Sequence, residues 1–323
     1  MAITITGGIT ISNGSWTVVG APPSTPTAGW FSGGRTAPST FLSSVDRITF
    51  ATDTATASSR GPLNSPGYVF AATGTSTNGW IVGSNLGPSA TAIQRITYAT
   101  DTATAANRGS IASYAFAQAA VTDSTSYGWF SGGRTPAYIS TTNRIDYAND
   151  TAVASIRGPL ATASGYLAGT STTTYGWIGG GVTSPGAYDS TVQRIAYATD
   201  TAIASLRGPL SLARWGLAGA GNTTDGWFAG GWSAYTTIDR VTYSTDTATA
   251  SVRGPLNAGR YTLAASTDNT TYGWFGGGRT SSPAFATLSI VERITYATDT
   301  ATASVRGSLT QNNYELGASS GIQ

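Results

Sequence analysis

The chain contains no cysteine and no histidine, and reading it through finds no lysine, so all 17 of its basic residues are arginine. Each absence removes a chemistry. Without thiols or imidazoles there is no disulfide framework, no ordinary structural zinc site, no haem or iron–sulfur ligation, and no Ser-His-Asp or Cys-His nucleophile. Without lysine there is no Schiff base and no P-loop grip on phosphate. Charge is scarce too: 10% of the 323 residues are charged and the net charge is +2, which gives no basis for a nucleic-acid partner or a polybasic membrane contact. No stretch of about 18 apolar residues occurs, so membrane insertion is not expected. The segment Met1 to Thr6 lacks the basic start and apolar core of a signal peptide, and the usual secretory route is not expected either.

What is present describes a folded chain, with 40% hydrophobic and 11% aromatic residues. Its richness in Ser, Thr, Gly, Tyr and Trp suits an exposed, adhesive surface better than a metabolic enzyme. A repeat then governs most of the length. Gly-Trp pairs begin at Gly29, Gly79, Gly128, Gly176, Gly226 and Gly273, 47–50 residues apart. Each is followed by an Arg before Ile or Val (Arg47, Arg95, Arg144, Arg194, Arg240, Arg293), six residues later by an Asp (Asp53, Asp101, Asp150, Asp200, Asp246, Asp299), and seven residues after that by Arg-Gly (Arg60, Arg108, Arg157, Arg207, Arg253, Arg306). Neither offset ever changes. Such rigidity means paired strands, because one inserted residue would turn every following side chain to the other face.

Each unit reads as four short strands: an apolar stretch such as Tyr261 to Ala264, the Gly-Trp segment, the Arg-Ile-Thr-Tyr segment, and the residues leading to Arg-Gly. Helical spacing is nowhere sustained, since Gly and Pro interrupt every candidate. Six four-stranded units of this length predict an all-β, six-bladed β-propeller over residues 29–323; an open β-solenoid, with shorter coils, fits less well. The last unit stops after a first strand and the first begins near its second, so residues 314–319 are expected to complete blade one; Trp16 to Val19 are the competing candidate. Residues 1–28 then form a short N-terminal β arm, expected to anchor the protein to a partner or to sister subunits.

The repeated Arg and Asp residues, Arg47, Asp53, Arg60 and Arg293, Asp299, Arg306 among them, are expected to be structural. Folding the hairpin about Asp53 brings Asp46 nearly opposite Arg60, a charge-assisted pair, while Asp53 itself caps its own turn. One carboxylate per unit falls short of a calcium cage, and no metal or other cofactor is expected. The repeated Trp and Tyr rings read as packing between blades, each burial contributing on the order of 2 kcal/mol, and the Gly doublets as points of close sheet approach. Binding is expected where the repeats differ. The loops between second and third strands vary from 9 to 15 residues and carry Arg35, Phe41, Leu42, Leu86, Arg134, Tyr138, Tyr188, Trp232, Tyr235, Arg279 and Phe285. Aromatic rings with Arg are what interfaces and sugar-stacking sites use.

The Gly doublets in units of this length resemble those of kelch-type propellers, although here Trp precedes the doublet instead of following it. The string Tyr-Gly-Trp-Phe-Gly-Gly-Gly at 272–278, with the segment 293–307, also resembles repeat proteins found among the structural proteins of marine cyanophages and related tailed phages. That resemblance implies a virion component, a fibre, spike or capsid decoration, that leaves the cell by assembly and lysis. Three functions are then expected in turn. The first is a non-enzymatic virion propeller showing its rim to a host-cell glycan or a virion protein. A free lectin-like module is the second. The third is a carbohydrate-active enzyme, for which Asp189 or Asp239 would have to act as acid or base and for which no carboxylate pair stands out.

Overall fold

The computed structural model describes residues 9–12, 15–18, 25–83, 91–232, 235–281 and 283–321. Among the described residues the strands form six four-stranded antiparallel sheets, the blades of a β-propeller. Blade 1 runs outward from Gly317–Gly321 through Ala28–Ser32 and Val45–Thr49 to Ser58–Ser59. The inner strands of blades 2 to 6 are Ala71–Gly74, Ala119–Thr122, Ala168–Ser171, Ala218–Gly221 and Ala264–Thr267. Each lies against its neighbours in a closed circle that includes Gly317–Gly321. Small side chains allow this: a Cβ on Gly169 would stand 2.4 Å from the Ala120 carbonyl oxygen, and one on Gly219 2.4 Å from that of Gly169.

The last strand of the described chain thus completes the first blade, pairing Trp30 with Ser319 and Phe31 with Ala318. It begins three residues beyond the expected Tyr314, and the first strand of blade 6 likewise begins at Ala264 instead of Tyr261. The cause is local. Glu315 and Thr262 have φ of 59° and 52°, left-handed values that no strand tolerates, so the preceding aromatic residue is cut off from the sheet. Ser15–Val18, the competing candidate, pairs with Ile9–Ser12 in a separate hairpin.

Between blades the packing is the same six times. The second-strand Trp of each blade is at most 2% exposed and lies flat on an aromatic ring from the third-strand end of the next: Trp30 on Tyr98, Trp80 on Tyr147, Trp129 on Tyr197, Trp177 on Tyr243, Trp227 on Tyr296, and Trp274 on Phe50, with centroids 3.8–4.1 Å apart. Stacked rings at this separation add about 0.5–1.5 kcal/mol to the hydrophobic gain.

The repeated Asp does not cap its own turn. Its carboxylate reaches the preceding blade, where one oxygen collects three donors. Asp101 Oδ2 accepts from Trp30 Nε1 at 2.9 Å and Arg47 Nη1 at 3.0 Å, and stands 3.5 Å from Arg60 Nε. Asp53 takes the same three partners from blade 6, Trp274 at 2.7 Å, Arg293 at 3.0 Å and Arg306 at 3.6 Å, so the last blade is joined to the first as every other pair is. Nor does Asp46 pair with Arg60. Asp46 faces Ser59 in the ladder, and its carboxylate accepts the Thr310 backbone N–H at 2.9 Å and hydroxyl at 2.7 Å, bracing the approach to its own blade's inner strand. Gln94, Asn143, Gln193, Asp239 and Glu292 do the same for Ser65, Ala112, Thr162, Ser211 and Asn257. Two-strand register misplaces both acids because it sees only the hairpin: Asp53 turns to the neighbouring blade and Asp46 to the segment that leads into its own blade's inner strand.

The Gly of each Arg-Gly is required by the same contact. Its N–H donates to the carbonyl of the next blade's Asp at 2.7–2.8 Å, and a Cβ there would fall about 2 Å from that blade's backbone, as at Gly158, 2.0 Å from the Ala202 oxygen. Replacing Asp150 with Ala strands Trp80 Nε1, Arg95 and Arg108 at once, and urea unfolding is expected to show a loss of about 2–4 kcal/mol; a loss below about 0.5 kcal/mol, the scale of an ordinary surface substitution, would show that the junction is ornamental. Gly158→Ala is expected to be comparably damaging, since the clash is with backbone that cannot rotate away, whereas Gly186→Ala, with open space around it, should cost only the strain of its left-handed φ.

Candidate binding face

One end of the propeller axis is built from backbone. The residue two positions before each of the inner strands of blades 2 to 6, and its equivalent in blade 1, is left-handed: Val69, Ala117, Tyr166, Gly216, Thr262 and Glu315, with φ of 52–69°. Each N–H donates to the carbonyl of its counterpart in the preceding blade, Val69 to Glu315, Glu315 to Thr262, Thr262 to Gly216, Gly216 to Tyr166, Tyr166 to Ala117 and Ala117 to Val69, at 2.5–3.4 Å. Six hydrogen bonds close a circle around the axis. Five of its members are not glycine, and Val69 and Thr262 are β-branched, so this circle holds backbone in a conformation that costs of order 1–3 kcal/mol per residue.

The variable loops rise at this same end. Short bridges join Arg35 to Tyr314, Leu42 to Gly67, Arg134 to Phe116, Val182 to Gly165 and Arg279 to Tyr261, tying the loops of blades 1, 3, 4 and 6 to the residues that lead into an inner strand. The result is a crown of arginine and aromatic side chains around the axial circle. Arg35 is clamped: its Nε lies 2.6 Å from Glu315 Oε2, its Nη2 donates to Oε1 at 2.9 Å, and its guanidinium covers the rings of Tyr68 and Tyr314 at 4.4 and 4.8 Å. Phe41 stacks on the far side of this group, 4.8 Å from Tyr68. Arg279 lies 5.0 Å from the Phe285 ring and 5.3 Å from Tyr314, and Arg134 lies over Tyr138 at 5.3 Å.

Trp232 belongs to a second cluster. It stacks on Trp215 at 5.2 Å and meets Tyr261 edge-on at 4.9 Å, while Trp215 also approaches Tyr166 at 5.0 Å. Tyr235 lies beyond Trp232 on the same loop and is exposed. Tyr188, also exposed, stands on the small hairpin Val182–Ser184 and Ala187–Tyr188 with no aromatic neighbour among the described residues. Leu86 lies outside the described residues. The loop positions fall into groups: Arg35, Phe41, Arg279 and Phe285 gather about Tyr68, Tyr314 and Glu315, Trp232 packs on Trp215, and Arg134 and Tyr138 lie close enough to Tyr166 to act on its phenol.

The partly exposed Tyr68, Tyr166 and Trp215, with the buried Tyr261, Tyr314 and Glu315 beneath the crown, complete this face, and spacing alone does not single them out. Their stretches read as strand; an aromatic residue stands eight places after Arg in five of six Arg-Gly units, Tyr68, Trp215, Tyr261 and Tyr314 among them, but that offset does not tell a crown residue from a strand residue, and Tyr166 and Glu315 stand nine places after. Electrostatically the crown is tight. Burial pushes the Glu315 carboxyl above the usual range, with Arg35 opposing the shift, and burial raises the Tyr166 phenol to about 12. Of the two carboxylates that could do acid–base work, Asp239 is fully buried against Arg214 at 2.9 Å, and Asp189 accepts the Thr191 N–H and hydroxyl at 2.9 and 2.6 Å with one oxygen while the other has no partner among the described residues. Arg214 and Arg260, buried completely in blades 5 and 6, are further residues that no spacing announced.

Arg35→Gln tests the clamp. A carboxyl whose folded pKa is raised holds its proton longer when folded, so its share of stability is present at low pH and lost as pH rises through the folded value. Removing Arg35 raises Glu315 further. The gap in Tm between wild type and variant is expected to widen from pH 4 to pH 7; a pH-independent gap would mean that Arg35 acts through packing alone. No known family model matches the chain, and no curated protein matches it.

Proposed function

We propose that the protein is a non-catalytic recognition module that binds carbohydrate on the aromatic part of the crown, and that it does so as an outward-facing component of a tailed-phage particle. The observation that carries the binding reading is the cluster of Trp215, Trp232, Tyr261 and Tyr166, four rings within 4.9–5.5 Å of one another in sequence of contact, beside an arginine clamp on the face where the loops vary most. Flat rings offer sugars an apolar surface while their polar edges and nearby guanidinium groups supply hydrogen bonds. The cluster is not repeated from blade to blade, which favours a single site over the recurring sites of a multivalent lectin. Against catalysis stand the missing histidine, cysteine and lysine and the ion pairs that engage Asp239 and Glu315. The virion setting rests on the resemblance of the 272–278 and 293–307 segments to repeats of phage structural proteins, with the N-terminal residues as the docking arm.

Trp232→Ala is expected to lower binding on a glycan array at least tenfold while moving Tm by no more than about 3 °C, because the loop lies outside the repeated junctions. Undiminished binding would remove the aromatic cluster from the site. Deleting residues 1–24 leaves every blade strand in place, so the ring is expected to fold with unchanged Tm and to be missing from purified particles. Incorporation of the shortened chain would refute the docking arm.

A further inference from the structure

Directly after the left-handed residue the repeats agree, with one exception. Phe70, Leu167, Leu217, Leu263 and Leu316 are buried apolar side chains, and blade 3 alone has Gln118 there. Gln118 is 6% exposed, and neither its side-chain nitrogen nor its oxygen has a hydrogen-bond partner. A buried amide in that state destabilises the fold, whereas the leucine of the sister blades would not. Gln118 lines a cavity of about 60 Å³ at the centre of the axial circle, together with its five apolar counterparts and with Tyr166, Thr262 and Glu315, and is the one carboxamide in a wall that is otherwise mostly apolar.

The size and the lining narrow the occupant. A cavity of this size has room for a few waters, and so for a one-carbon branch bearing a hydroxyl. A carboxamide offers donors and an acceptor side by side, and a hydroxyl group is both. Glu315 on the same wall opposes an anion. Tyr166 connects the cavity to the aromatic cluster, since its ring lies 5.0 Å from Trp215. We infer that the axial cavity receives the exocyclic hydroxymethyl group of a neutral hexopyranose, hydrogen-bonded by Gln118, while the sugar's apolar face lies on the Trp215 and Trp232 side of the mouth. This rests on the carbohydrate reading and adds to it a specificity: hexoses over pentoses, neutral over acidic sugars.

The test uses the full chain and defined probes, the methyl glycosides of glucose, galactose and mannose, against methyl xyloside, which is the glucoside without its hydroxymethyl group. Binding is measured by NMR titration for wild type, Gln118→Leu and Trp232→Ala. At least one hexoside is expected to bind wild type five- to tenfold more tightly than the xyloside, and Gln118→Leu to erase that preference while raising Tm by about 2–4 °C. Equal binding of hexosides and xyloside by wild type, abolished by Trp232→Ala, would overturn the cavity assignment and leave the aromatic site standing. Failure of wild type to bind any of the four would overturn both. A fall in Tm for Gln118→Leu would show that the amide is structural, and would overturn the inference by itself.

Discussion

One carboxylate oxygen per blade holds this ring together. In each junction the turn Asp of one blade receives an indole N–H and two guanidinium groups of the blade before it, next to a flat Trp stack and a backbone hydrogen bond at the Arg-Gly step. The geometry explains why the residue offsets in the chain never change. An insertion between the Arg and the Asp, or between the Asp and Arg-Gly, would move a donor or the acceptor by a full residue, and the junction would lose all its partners together. It also explains the scarcity of charge elsewhere: twelve of the 17 arginines occupy the two junction positions. These pairs are only partly exposed, so they avoid both the screening that weakens surface ion pairs and the full desolvation cost of deeply buried ones.

With neighbouring blades fixed at their outer halves, the inner strands have no freedom left, and the axial circle of left-handed residues is the consequence. Each such residue ends the approach to an inner strand and gives its N–H to the blade before. A single left-handed valine or threonine would relax to an extended conformation if it could. Here relaxation would break two hydrogen bonds of a closed circle and pull Phe70 or Leu263 out of the core. The strain is therefore supported by the ring as a whole. It also acts at the surface, because the turn it imposes lifts the preceding aromatic residue out of the sheet and toward the variable loops.

The number of blades, the four strands in each, the packing of Trp between blades and the completion of the first blade by a late strand are readable from spacing, because each is a statement about period, whereas the start of each inner strand, three residues later than Tyr261 and Tyr314, is not. Nor are the partners of Asp53 and Asp46. Period fixes which residues recur; it does not say whether a carboxylate turns toward its own hairpin or toward the adjacent blade. The crown was half legible for a related reason. Variable loops announce themselves by differing in length, so Arg35, Trp232 and Arg279 could be singled out. Tyr68, Trp215 and Tyr314 sit at a constant offset inside the repeat and looked like strand, and only the left-handed φ of Glu315 and its equivalents, invisible in non-glycine residues, separates them from it.

A ring with this much internal symmetry makes departures from it informative. Where all six blades carry the same residue, the junction accounts for it. Where one blade differs at a buried position, the fold gives no reason for the change, and the alternative is already proven compatible by the other five. Arg214 and Arg260 are departures of one kind: each enters a place that is Gly67, Ala115, Ser164 or Asn313 elsewhere and meets a carboxylate of its own blade, Arg214 with backbone carbonyls as well and Arg260 with the Phe275 carbonyl and Glu292 at 3.5 Å. Gln118 is of the other kind, polar where its counterparts are apolar and left without partners. The outer strands show a third, with Val153, Ile156, Ile203 and Leu206 57–65% exposed where blades 1 and 2 have Thr56, Ser59, Thr104 and Asn107. An exposed apolar edge gains nothing for a single ring in water. The ring thus departs from its own symmetry in two places: at the axial crown, where rings and charge gather around a cavity, and along the outer strands, where blades 3 and 4 expose more apolar surface than blades 1 and 2.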